Sequence, residues 1–278
     1  LDRLVSLYVV RPWRSCQSDE LGTLPILMYH GVSHERDAAT VGYYQTVTRP
    51  EVFAAQMAWL RTAGYQVVSA RQALGEWRAG KISRTVALTF DDGFRDFATT
   101  VFPILRQHGF AATVFLPTAF VGDTPRRFQG RECLTWSEVQ DLSQAGIEFG
   151  SHTVNHPKLC QLGAAQIQTE LTDSKAAIEQ RLGKVVDSFA YPYAFPSEEA
   201  GFVVQFVELL QRAGFQYGVT TRVGRVRHGD SLLTLKRLPI NTGDDSRFLA
   251  SKLSGAYDWV GLPQDVVKRC KRFWTAAA

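Results

Sequence analysis

The chain has 278 residues, 45% of them hydrophobic and 21% charged, with a formal net charge of +4; this is ample material for one sizeable core and excludes a disordered polyelectrolyte. Its densest basic stretches, 222–227 and 268–272, are short and carry no interleaved aromatics, which argues against nucleic-acid binding. The four cysteines, Cys16, Cys133, Cys160 and Cys270, form no C-x-x-C pair, so neither a thiolate zinc site nor a disulfide framework is expected.

No apolar stretch approaches the roughly 20 residues of a membrane span, and residues 4–10 are followed by no cleavage-site pattern. The first residue is Leu rather than Met, and the chain is expected to begin after a processed or omitted segment. Cytoplasmic and exported locations therefore both stay open. With no low-complexity tract, Pro-rich linker or exact repeat, a single domain is expected over 1–278, its core at about 25–245.

In chain order, apolar runs at 26–29, 65–69, 86–90, 112–116, 147–151, 188–191, 217–221 and 232–240 read as strands. Between them, 50–63, 94–107, 136–144, 164–181 and 197–212 carry helical periodicity. Gly64, Gly109, Gly146, Gly183 and Gly214 stand where helices stop on a left-handed residue. The alternation predicts an α/β fold of right-handed βαβ units, seven or eight of which would close into a (β/α) barrel with parallel strands. An open doubly wound sheet is the alternative, but no G-x-G-x-x-G follows any strand.

The carboxyl ends of the predicted strands carry the chemistry. His30 ends P-I-L-M-Y-H, Asp91 and Asp92 lie in T-F-D-D-G, and His152 and His156 lie in H-T-V-N-H-P. Tyr191, Pro192 and Tyr193 close F-A-Y-P-Y. In a parallel barrel these ends share the face where active sites lie. Two adjacent carboxylates repel unless a cation joins them, and a helix cap accounts for only one of the two. H-x-x-x-H alone is a weak signal. Joined to a carboxylate, two imidazoles with an open fourth position make the common catalytic zinc arrangement. A lone strand-end His is, by contrast, more often structural than functional.

Together, T-F-D-D-G, H-T-V-N-H-P and F-A-Y-P-Y resemble the first three motifs of the polysaccharide deacetylases, carbohydrate esterase family 4, over roughly residues 25–245. The resemblance implies a distorted barrel that removes N- or O-acetyl groups from sugars with one divalent metal ion: Zn2+ first, with Co2+ or Ni2+ as alternatives. By position it implies Asp92, His152 and His156 as metal ligands, Asp91 as catalytic base and the Tyr193 backbone N–H as oxyanion donor. Two positions depart from the pattern. Ala190 stands where many members carry an Arg that orients the base, and the late L-x-x-H is here L-K-R-L-P-I, without His. The branch acting on poly-β-1,6-N-acetylglucosamine also shows F-A-Y-P-Y, has permuted motifs and takes its acid from an early M-Y-H. That branch implies His30 as proton donor to the leaving amine.

His228 is a competing acid, His34 a candidate for substrate contact, and His108 reads as a surface helix cap. Arg237 is read either as the substitute for the missing Arg or as a plain strand-end residue, and is grouped with Tyr191, Pro192 and Trp136 as substrate-binding candidates. Tyr43, Tyr44, Phe128 and Trp136, in or beside the long connections 31–49 and 118–135, are candidates to stack on sugar rings or simply to pack those loops. The resulting expectation is a metal-dependent hydrolase of N-acetylglucosamine-containing glycans. A non-catalytic glycan-binding barrel, or a deacetylase of O-acetylated xylan or of a small amino-sugar conjugate, are the alternatives.

Overall fold

A computed structural model describes residues 2–14, 22–35 and 46–261. Eight parallel strands carry the fold: β1 (Ile26–Tyr29), β2 (Gln66–Val68), β3 (Thr85–Phe90), β4 (Thr113–Leu116), β5 (Glu148–Ser151), β6 (Ser188–Ala190), β7 (Tyr217–Val223) and β8 (Leu235–Pro239). Seven of them close a ring in the order β1-β8-β7-β6-β5-β4-β3, with β3 returning to β1. The eighth, β2, pairs with Thr85–Ala87 of β3, whereas β4 pairs only with Thr89 and Phe90. A further bond from the Ala111 N–H to the Val67 carbonyl ties β2 to the chain entering β4. Thus β2 fills the amino-terminal gap between β3 and β4, and the barrel that the alternation predicts has the distorted (β/α) form that the family resemblance implies.

Among the described residues, seven α-helices longer than one turn pack around the ring: α1 (Pro50–Thr62), α2 (Ala70–Arg78), α3 (Phe102–His108), α4 (Trp136–Gln144), α5 (Ala164–Leu182), α6 (Ala200–Arg212) and α7 (Ser246–Leu253). The five glycines singled out at helix ends all adopt positive φ. Strand alternation divides the core. Leu27, Leu88, Val114 and Phe189 face the helical layer, while Ile26, Ala87, Phe115, Ala190 and Leu235 cluster on the other side, as a period of two requires.

Three elements differ from expectation. The helix at 94–107 is a wide π turn, Phe97–Val101, leading into α3; Pro103 lacks the N–H that would continue the regular ladder back to Thr99. The Gly75-containing α2 was not among the expected helices and is fixed by its cap, Ser69 Oγ accepting from the Gln72 N–H. The connection after β4 folds into an antiparallel hairpin, Arg127–Phe128 against Arg131–Glu132. Cys133 is buried, Cys160 is exposed, and both are free thiols; Cys16, Cys270, Tyr43 and Tyr44 lie outside the described residues. Among the described residues, no helix is long and apolar enough to cross a membrane.

Candidate active site

Alternation along the strands aims the site. On β3, Val86, Leu88 and Phe90 belong to the outer core, which leaves Ala87, Thr89 and then Asp91 facing inward. On β1, Leu27 and Tyr29 face outward, and Tyr29 donates its hydroxyl to Gln56 of α1 at 2.8 Å. Met28 and His30 therefore point to the barrel mouth. Asp92 would face outward if β3 continued. Its left-handed φ of 69°, followed by 58° at Gly93, turns the chain so that both carboxylates line one cavity. At Gly93 a Cβ would lie 2.7 Å from Leu116 Cδ2, so close approach as well as conformation requires glycine.

Arg237 faces inward on β8 and grips Asp91. Its Nη1 donates to Asp91 Oδ1 at 2.7 Å and its Nη2 to Oδ2 at 2.6 Å. Its Nε donates to the Thr220 carbonyl at 3.0 Å. Between Val219 and Val223 the β7–β8 register shifts, and such a bulge frees a carbonyl of this kind from the ladder. Burial pushes the Asp91 pKa up, but the Arg237 charge and hydrogen bonds outweigh it and hold the carboxyl well below the usual carboxylate range.

Asp92, His152 and His156 form a second unit. Asp92 Oδ1 lies 3.5 Å from His152 Nε2 and 3.3 Å from His156 Nε2. It is buried with no hydrogen-bond partner among the described residues. His152 Nδ1 sits 2.8 Å from the Ala190 carbonyl, which fixes the proton on Nδ1 and turns the Nε2 lone pair toward Asp92. Burial, and then the neighbouring His152, bring the His156 pKa down to about 4, leaving a neutral imidazole. For His152, burial pulls the other way, but Asp92 and Asp91 raise its pKa on balance.

The three ligand atoms can hold one metal ion. The distances from Asp92 Oδ1 to the two imidazoles, 3.5 and 3.3 Å, match the edge of a tetrahedron with metal–ligand bonds of about 2.0–2.2 Å. The turn carrying the two imidazoles is built for this placement. Thr153 and His156 have φ of 68° and 54°, each costing roughly 1–2 kcal/mol. Glu170 of α5 accepts the Val154 and Asn155 N–H groups at 2.7 and 2.9 Å, offsetting that strain. Strain of this kind gathers at functional sites.

A cavity of about 400 Å³ opens over these groups, lined also by His30, Tyr191, Tyr193, Gln129 and Asn241. Tyr193, at φ 58°, lays its ring edge-on to His156 at 4.6 Å. Its N–H has no acceptor among the described residues.

The other candidates fall elsewhere. Arg237 has no exposed surface, so it supports Asp91 rather than contacting substrate. Trp136 is buried at the start of α4 under the Arg181 guanidinium, and Pro192 is buried outside the cavity lining; neither is placed to touch a ligand. His228 stacks on Trp77 at 4.9 Å, away from the cavity. His34 is exposed beside Glu51, and His108 stacks on Phe110. Phe128 packs on His156 from the side at 4.9 Å. Sequence reasoning missed Gln129 and Glu170. The Gln-Gly pair at 129–130 marks a tight hairpin turn, while nothing in the sequence ties Glu170 to a turn fifteen residues earlier.

Fold and site define a parallel (β/α) barrel with a carboxylate–bis-imidazole cluster at the carboxyl ends of its strands. Residues 78–218 match the family described as polysaccharide deacetylase, and the chain belongs to that family of hydrolases. The Bacillus subtilis protein YxkH, named as a polysaccharide deacetylase, is 28% identical over 243 residues, 87% of this chain and 78% of that protein. A poly-β-1,6-N-acetyl-D-glucosamine N-deacetylase of Staphylococcus aureus is 25% identical over 176 residues, covering 60% of this chain and 58% of its own length. Among solved structures, the Streptococcus pyogenes deacetylase PplD, in complex with acetate, superposes with a TM-score of 0.72 at 26% identity, over 83% of this chain and 97% of that one.

Proposed function

We propose that the chain is a metal-dependent deacetylase of N-acetylglucosamine-containing polysaccharide or oligosaccharide, with a β-1,6-linked glycan as the first substrate to test. The observation that carries this reading is the placement of Asp91, charged and gripped by Arg237, beside the Asp92–His152–His156 cluster. The name of the S. aureus relative supports the glycan class.

When bound there, a divalent ion supplies the Lewis acidity that polarises an acetyl carbonyl and acidifies an attacking water. Asp91, fixed as a carboxylate, accepts the proton of that water. The Tyr193 N–H donates to the oxygen that gains charge. His30, on the same cavity, gives a proton to the departing amine, since nitrogen leaves only when protonated. Water and the acetamide are thereby converted to acetate and the free amino sugar.

Asp91→Asn and His30→Ala test the roles directly. Each is expected to abolish most acetate release from N-acetylglucosamine oligomers while zinc binding persists. Unchanged turnover in Asp91→Asn would overturn the reading.

A further inference from the structure

His30 precedes the two-residue strand Gly31–Val32, and the groups that fix this joint come from the 127–132 hairpin and from the segment after Asp91-Asp92-Gly93. Arg131 is mostly buried, its guanidinium lying 4.1 Å over the Phe94 ring and paired with Asp96. It covers Gly31 so closely that a Cβ at that position would overlap it. Asp96 accepts the Val32 N–H at 3.1 Å. The same hairpin is tied to the Asp-Asp-Gly turn by the Leu134 N–H on the Gly93 carbonyl, 2.9 Å, and by the Arg95 N–H on the Glu132 carbonyl, 2.9 Å. Thus the turn that bears His30 and the turn that bears Asp91 and Asp92 meet on one mostly buried ion pair.

We propose that Arg131 and Asp96 are positioning residues for His30, setting its separation from Asp91 through the backbone of Gly31 and Val32. The proposal rests on the reading of His30 as proton donor. Misplacing a catalytic group by about 1 Å can cost on the order of 100-fold in rate, so a side chain that never touches substrate can govern kcat. The competing role for Arg131 is to hold Gln129, two residues away on the same hairpin, in the cavity wall. That role would act on KM.

The test compares acetate release from N-acetylglucosamine oligomers with hydrolysis of an aryl acetate, whose phenolate departs without a proton. The variants are Arg131→Ala, Arg131→Lys, Gly31→Ala, His30→Ala and the double variant His30→Ala/Arg131→Ala. Circular dichroism and zinc stoichiometry check that each folds and keeps its metal site. Arg131→Ala and Gly31→Ala are expected to lower kcat on the amide about 10–100-fold, with little change in KM, while aryl acetate hydrolysis stays near the parent rate. Gly31→Ala perturbs the same contact from the other side. Arg131→Lys, which keeps the cation near Asp96, is expected to recover part of the loss. In the His30→Ala background, Arg131→Ala should cost nothing more.

Equal losses on both substrates, a change confined to KM, or a loss that adds to that of His30→Ala would overturn the positioning role while leaving His30 as acid. Full amide turnover in His30→Ala itself would instead refute the acid assignment and, with it, this proposal.

Discussion

Arg237 on β8 and Asp91 at the end of β3 meet in the barrel interior through two hydrogen bonds of 2.7 and 2.6 Å, with side chains 0% and 2% exposed. Their sequence separation is 146 residues, and the pair closes the ring chemically as well as sterically. A buried charge left without its partner costs about 3–5 kcal/mol, whereas removing both charges together is often neutral. Arg237→Met is therefore expected to destabilise the fold by that order, and Asp91→Asn/Arg237→Met to regain most of it. Neither variant should release acetate at more than about 1% of the parent rate, because the carboxylate loses either its orientation or its charge. Urea unfolding and an acetate assay on the same samples check both statements.

Loading the Asp92–His152–His156 cluster should be visible as stability. A ligand that binds only the folded state at about 100 times its Kd adds about 2.7 kcal/mol. Zinc is expected to raise the midpoint of thermal unfolding of the parent, and to leave Asp92→Ala and His156→Ala unmoved. Without metal, Asp92→Gly should be no less stable than the parent, since it removes a buried oxygen without a hydrogen bond and a non-glycine residue at φ 69°. Calorimetry with and without zinc decides.

Asp96 gives the fold a pH signature. Burial outweighs the Arg131 charge and holds its pKa up at about 6. An unfolded Asp titrates near 3.9, so the folded-state value is raised. The stability contributed by the protonated carboxyl is then fully present below about pH 4 and is lost as pH rises through about 6. Asp96→Asn lacks this titration. The parent is expected to lose stability relative to the variant between about pH 4 and 6 in urea unfolding; a difference that stays constant across that range would contradict it.

Local pattern carried most of the barrel. β1 and α4 fall at 26–29 and 136–144, the ranges that hydrophobic periodicity marks out, because each is a short apolar or amphipathic unit bounded by strong punctuation. The helix α2 carries its buried face, Ala70, Ala73, Leu74 and Trp77, at i, i+3, i+4 and i+7, so its pattern was present in the sequence; only the interior Gly75 and the polar remainder spoke against it. At the site, strand-end position was enough to bring His30, Asp91 and His152 to one cavity, whereas Asp92, His156 and Tyr193 reach it through left-handed turns that alternation does not show. Strand-end position could not decide what Arg237 does. Its inward aim follows the same alternation, Leu235 inward and Leu238 outward, but its grip on Asp91 depends on ring closure, which is not local. Trp136 misled for the converse reason: an aromatic beside a long loop reads as a ligand platform, but α4 docks it into the core.

The most direct measurement is acetate release from β-1,6-linked N-acetylglucosamine oligomers by the parent chain after chelation, and again after zinc is restored. Chitooligosaccharides, peptidoglycan and acetylated xylan run beside it as competing substrates, and Asp91→Asn as the inactive reference. Release is expected to vanish with chelator, to return with stoichiometric zinc, and to be greatest on the β-1,6-linked oligomer. Release that survives complete metal removal, or that proceeds equally in Asp91→Asn, would contradict a metal-dependent deacetylase built on Asp91.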